Sequence, residues 1–259
     1  MGGGLGLMAG ASHRVVTETS RIAMPEQTIG LYPDVGGSYF LHKMPAHVGL
    51  FLGLTSASIN CEDAKLVSLA DHFVNADKSP ELVEALLNTK WGKTASLNHD
   101  KLSTLLIELD NNSSRMPKGN LKANLSLIQK LGEFDTLQQQ VDYILNLNTD
   151  DKWLQRAQKS LAHGCPLSCA LVSEQLKHSK GKNLAECFKM ELGMSVRAGE
   201  VGEFQEGVRA LLIDKDGAPQ WQFKSLADVP KEVVESFFAN RFGEQHPLEP
   251  YFSQLNLQG

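Results

Sequence analysis

From Ser79 onward almost every segment sets its apolar residues at helical spacing, with charges between the apolar faces, so most of the chain is restricted to helices. The periodicity predicts helices over 80–87, 101–109, 121–131, 137–147, 152–163, 166–178, 184–197, 204–213 and 231–239. Residues 1 to about 75 differ in texture: glycine is frequent, and short β-branched runs at 14–18, 21–23 and 72–75 alternate with helical stretches, an α/β pattern. The expected organisation is an α/β head, 1–78, followed by an all-helical tail, 79–259. Breakers agree with this division. The segment 111–119, with Pro117 and Gly119, reads as a loop, and 214–219 ends a helix in a turn. Residues 241–259 mix aromatic with polar side chains, and docking is what would order them.

Composition narrows the function classes. A hydrophobic content of 42% is that of a globular core, which excludes a disordered chain. A net charge of -5 excludes nucleic acid as the main partner, because phosphate binding is driven by basic surface that this composition lacks. No apolar run approaches the roughly 20 residues of a membrane-spanning helix, so no membrane partner is expected. The opening MGGGLGLMAGASHR has no basic segment before its apolar stretch and does not read as a signal peptide. Cys61, Cys165, Cys169 and Cys187 form no paired CxxC spacing, which predicts reduced structural thiols, no metal site, and a bacterial cytoplasm or a mitochondrial matrix as the compartment.

Two segments carry candidate chemistry. The run Gly2-Gly3-Gly4-Leu5-Gly6-Leu7 opens a helix whose first amides, unencumbered by Cβ atoms, suit an anion or a developing oxyanion. No Gly-Lys-Ser/Thr follows, which excludes a P-loop, and no strand precedes the glycines, which disfavours a dinucleotide fold. In the second segment, 23–37, Glu26 stands between apolar residues and prolines, where desolvation would raise its pKa into a range useful for acid–base work. Asp34 reads first as the N-cap of a helix beginning near Val35. His13, His42, His47 and His72 are expected to have no part in chemistry.

GGGxGL followed by MPExxIGLxPDVGG resembles the crotonase (enoyl-CoA hydratase/isomerase) superfamily, and the Pro-Asp-Val-Gly-Gly form is similar to its 3-hydroxyisobutyryl-CoA hydrolase branch. In the tail, Pro166-Leu167-Ser168 at a helix start and the stretch 204–215 are similar to segments of the same hydrolases. The resemblance implies an α/β fold, a truncated crotonase-like ββα spiral core followed by an all-helical C-terminal region. It implies that Gly3 presents one of two backbone N–H groups of an oxyanion hole and that Glu26 is the catalytic glutamate. Asp34 lies where the hydrolases have an aspartate and typical hydratases a glycine. Gly6 takes the place of the hydratases' other glutamate, so the resemblance implies thioester hydrolysis, of a short branched 3-hydroxyacyl-CoA as in valine catabolism, over addition of water to a double bond. Glu26, Asp34 and Gly3 would also bind substrate, and Lys215 with Arg209 would hold the nucleotide end of CoA.

Further expectations follow from the resemblance. No cofactor is needed, since CoA is part of the substrate; the expected partner is an acyl-CoA, and assembly as a homo-oligomer is left open. Crotonase domains supply the other oxyanion N–H from segments ahead of the glycine run. The chain begins inside that motif, so the chain alone is expected to be poorly stable or inactive. A remnant or assembly module without catalysis is the alternative from another class.

Overall fold

The computed structural model describes residues 1–114 and 116–254. In chain order these form α1 (Gly3–Ala9), β1 (Val15–Val16), α2 (Gly37–His42), α3 (Val48–Thr55), α4 (Cys61–Leu66), β2 (His72–Phe73), α5 (Ser79–Asn88), α6 (Ala95–Asn111) and α7 (Leu121–Gln129). Then follow α8 (Leu137–Leu145), α9 (Lys152–His163), α10 (Pro166–Ser179), α11 (Leu184–Val201), α12 (Glu203–Val208), α13 (Lys231–Ser236) and α14 (Glu249–Gln254). All nine predicted tail helices are present, and α9 has the predicted bounds. The predicted helix 204–213 begins as α12 but continues as a π-helical turn, Arg209–Ile213. Part of the open stretch 241–259 forms α14, and 255–259 lie outside the described residues, as does Arg115 of the predicted loop 111–119.

By contacts the chain divides into two compact units, and each draws on both head and tail: 1–6, 23–57 and 125–259 form the first, 7–22 and 58–124 the second. In the second unit β1 and β2 pair in parallel, with Val15 opposite His72 and Val16 opposite Phe73, and Ile22 makes a single antiparallel bridge to Ile59. The β-branched runs are therefore extended backbone with little ladder. Arg14 fixes the entry to β1, its guanidinium donating to Asp71 at 2.9 and 2.6 Å. Asn60 and Asp63 cap α4 reciprocally, and the Asp63 carboxylate also accepts from the Asn120 and Leu121 amides at 3.0 and 2.9 Å.

In the first unit α10 packs against α2, α3 and α13, α11 against α2, and α9 against α3. A buried cluster that includes Tyr32, Leu171, Met194, Trp221 and Phe237 joins α10, α11 and α13 to the backbone ahead of α2. Large aromatic side chains in such a cluster supply much of the burial free energy, about 25 cal/mol per Å² of apolar surface removed from water. Cys165, Cys169 and Cys187 are buried free thiols here, and Cys61 is one in the second unit. Among the described residues no helix is long and apolar enough to cross a membrane.

Candidate active site

Glu26 opens a 3-10 turn, Glu26–Ile29, that Pro25 precedes and Gly30 ends in the left-handed region at φ 71°. Two backbone approaches lock this turn to α12. A Cβ on Gly30 would lie 2.3 Å from the Glu203 carbonyl oxygen, and one on Gly207 would lie 2.2 Å from that of Ile29. Only glycine permits chains to meet so closely. The adjoining Gln27 is wholly buried, its carbonyl accepts from the Cys165 amide at 3.0 Å, and its side chain donates to the Ser160 carbonyl at 3.1 Å. The turn that carries Glu26 is thus held from the tail on two sides.

Glu26 is 5% exposed, and its Oε2 has no hydrogen-bond partner among the described residues. Removal from water penalises the charged form, and with a smaller push from the nearby Asp34 carboxylate the pKa rises from 4.5 to about 7. Ionised and neutral forms are therefore close in free energy near neutral pH, the condition that suits a general base or a nucleophile regenerated in each turnover.

Asp34 follows the buried Tyr32 and Pro33 and is itself half-buried; desolvation raises its pKa. It does not cap α2, contrary to the first reading of its position. Gly36, at φ 87°, occupies the N-cap place, and no side chain of that residue is available to accept. The amides at the start of α2 go instead to Glu191 of α11, whose carboxylate accepts from Gly36 at 2.8 Å and Ser38 at 2.9 Å. Because a distant carboxylate does the capping, the Asp34 side chain is not spent on the helix. Gln175 donates to the Pro33 carbonyl at 2.6 Å and to Ser38 Oγ at 2.8 Å, and neither it nor Glu191 stands out in the sequence motifs. A signal for Glu191 exists: it interrupts the buried stripe Cys187, Met194 and Ala198 of α11 with an acid.

The glycine run forms α1, and Gly3 is its first residue. Amides in the first turn of a helix have no acceptor further back in their own helix. Gly6 abuts the Asp34 turn, since a Cβ there would lie 2.6 Å from the Val35 carbonyl oxygen. Gly3 is one turn ahead, about 4.5 Å along the helix axis. Glu26, Asp34 and the start of α1 therefore belong to one region of the first unit.

Lys215 stands exposed at φ 56° just beyond the π-helical turn. Arg209, expected to share its role, is engaged elsewhere: its guanidinium donates to Glu206 at 2.8 and 2.9 Å, Asp214 at 2.6 Å and Asp216 at 2.7 Å. These carboxylates hold the guanidinium pKa above its ordinary value, and the contact with Arg209 pulls Glu206 down to about 2.

Comparison with known proteins places the chain in a family. Residues 1–238 match the model of the enoyl-CoA hydratase/isomerase family, and the chain belongs to that family. It is similar to the mitochondrial 3-hydroxyisobutyryl-CoA hydrolases of Mus musculus, 35% identical over 92% of this chain and 60% of the relative, and of Dictyostelium discoideum, 32% identical over 92% and 61%. Among solved structures it is similar to an enoyl-CoA hydratase from Rhodobacter sphaeroides 2.4.1, with 33% identity and a TM-score of 0.77 over 92% of this chain and 65% of that one. The fold is the α/β crotonase-like one with a helical region, as the motifs imply. The chain spans about 60% of the length of the curated relatives it matches.

Proposed function

We propose that the chain carries the catalytic carboxylates of a CoA-thioester hydrolase whose substrate is 3-hydroxyisobutyryl-CoA, released as 3-hydroxyisobutyrate and CoA. The observation that carries the reading is Glu26: a buried carboxyl near Asp34, with one oxygen that has no hydrogen-bond partner among the described residues, whose burial pushes its pKa up to about 7. The names of the relatives at 32 and 35% identity support the substrate, and Gly6, which offers no second glutamate for hydration, supports hydrolysis over the hydratase reaction.

Ionised Glu26 has two routes. It attacks the thioester carbonyl, the C–S bond breaks as CoA thiolate leaves, and water opens the resulting anhydride to restore the carboxylate. Alternatively it takes a proton from water that attacks the same carbon, and the tetrahedral intermediate collapses as the C–S bond breaks and CoA thiolate leaves. Both routes place negative charge on the carbonyl oxygen, for which the Gly3 amide is the proposed donor; loss of one such donor typically costs about 10²–10³ in rate. Asp34 binds the substrate hydroxyl or orients the water. Lys215, with no ion-pair partner among the described residues, faces the anionic nucleotide end of CoA, and Arg209 contributes by fixing its loop through Asp214 and Asp216. The mitochondrial relatives support a mitochondrial compartment over a bacterial cytoplasm.

The test is thiol release from 3-hydroxyisobutyryl-CoA beside hydration of crotonyl-CoA, measured on the chain, on any longer form of the protein that contains it, and on Glu26→Gln. Thiol release that the glutamine variant loses, with negligible hydration, is the expected result. Equal hydrolysis by the variant would remove Glu26 from its role.

A further inference from the structure

We propose that Glu191 is the positioning residue of the Asp34 turn: its carboxylate, reaching from the tail helix α11, sets the backbone that aims Asp34 at the substrate. The inference deepens the hydrolase reading and rests on it for its consequence in turnover. The turn includes a conformation that Val35 does not favour. Val35 is β-branched and sits at φ 50°, and Gly36 follows at φ 87°. A β-branched residue in the left-handed region persists only where its surroundings over-determine it.

Those surroundings come from the tail. Glu191 is 4% exposed and takes the Gly36 and Ser38 amides with one oxygen each. Such charge-assisted pairs are among the stronger protein hydrogen bonds. The clamp continues on the other side of Asp34. The Tyr32 hydroxyl donates to the Glu191 backbone carbonyl at 2.6 Å, and Gln175 of α10 ties the Pro33 carbonyl to Ser38 Oγ. Asp34 therefore lies between two anchored points, Pro33 and Gly36, and its carboxyl pairs with no other side chain among the described residues. A buried acid is an unfavourable choice for packing alone. Here its two oxygens match two amides that no other group of the turn accepts.

Glutamine at 191 preserves size but has one acceptor oxygen and sets an N–H group against a backbone N–H. The experiment compares amide hydrogen exchange of the full chain with that of Glu191→Gln. Protection at Gly36 and Ser38 is expected to fall about tenfold or more, while Leu41 and His42, later in α2, stay within about twofold. Glu191→Asp, which keeps the charge but cannot span both amides, is expected to lose one of the two protections and serves if the glutamine variant does not fold. In turnover, kcat for thioester cleavage is expected to fall about tenfold to hundredfold in Glu191→Gln, the scale of a 1 Å misplacement, and not to fall further when the change is added to Asp34→Asn. Unchanged protection at both amides overturns the proposal, as does an equal loss of kcat with and without the Asp34 carboxylate. If no form releases thiol, the hydrolase reading fails, and the exchange result still decides the clamp.

Discussion

Replacing Glu26 by glutamine removes a charge from a site that disfavours it, and the consequence for stability follows from the structure. The carboxyl titrates at about 7 in the folded chain against an ordinary 4.5, with burial the main cause. Between those values the folded state holds a proton that the unfolded chain has released, so stability falls as pH rises from about 4.5 to about 7. At about 1.4 kcal/mol per tenfold, the ionised group costs the fold about 3 kcal/mol at pH 8 and under about 1 kcal/mol at pH 5. The amide carries no such cost at either pH. Glu26→Gln is therefore expected to melt higher than the parent by roughly 6–12 °C at pH 8, and the difference is expected to shrink to a few degrees at pH 5. Thermal denaturation of both forms at the two pH values reads this directly. A variant that is no more stable than the parent at pH 8, or a difference of the same size at both pH values, would refute the reasoning.

Three further outcomes are expected. Thiol release should rise with pH through about 7, because Glu26 acts ionised; a profile flat from pH 5.5 to 8 would contradict that. Gly6→Glu should reduce hydrolysis about 10²-fold without creating crotonyl-CoA hydration, since any Cβ there meets the Val35 carbonyl at 2.6 Å and displaces the Asp34 turn; acquired hydration would count against the role given to that contact. Gly207→Ala should destabilise by about 1–3 kcal/mol, as overpacking does, because its Cβ would lie 2.2 Å from the Ile29 carbonyl oxygen; an unchanged melting temperature would show that α12 and the Glu26 turn are not so tightly joined.

What sequence reveals here depends on how local the cause is. Helical periodicity is a property of neighbours, and α9 and α10 begin at the residues their patterns predict. Extended runs are less legible. Val15–Val16 and His72–Phe73 are β-branched or aromatic, but a ladder also requires a partner strand, and only two residue pairs form. Glu26 on its own reads as a loop residue, and it is the resemblance of its whole segment to a family motif that singles it out; its burial agrees with the prolines and apolar residues around it. Asp34 misleads for a physical reason: an aspartate ahead of a helix is a common cap, yet Glu191, 155 residues along the chain from Gly36, already takes the amides it would have used. Sequence does not show that the Arg209 guanidinium is met by three carboxylates within seven residues of it.

The central claim is that the acid acting on the thioester is a buried carboxyl whose two protonation states are balanced near neutral pH. Carbon-13 NMR titration of the glutamate side-chain carboxyls, with the Glu26 signal assigned by its disappearance in Glu26→Gln, tests it without requiring substrate. The account predicts a midpoint near 7 for that signal. A midpoint near 4.5, in the ordinary carboxylate range, would contradict it.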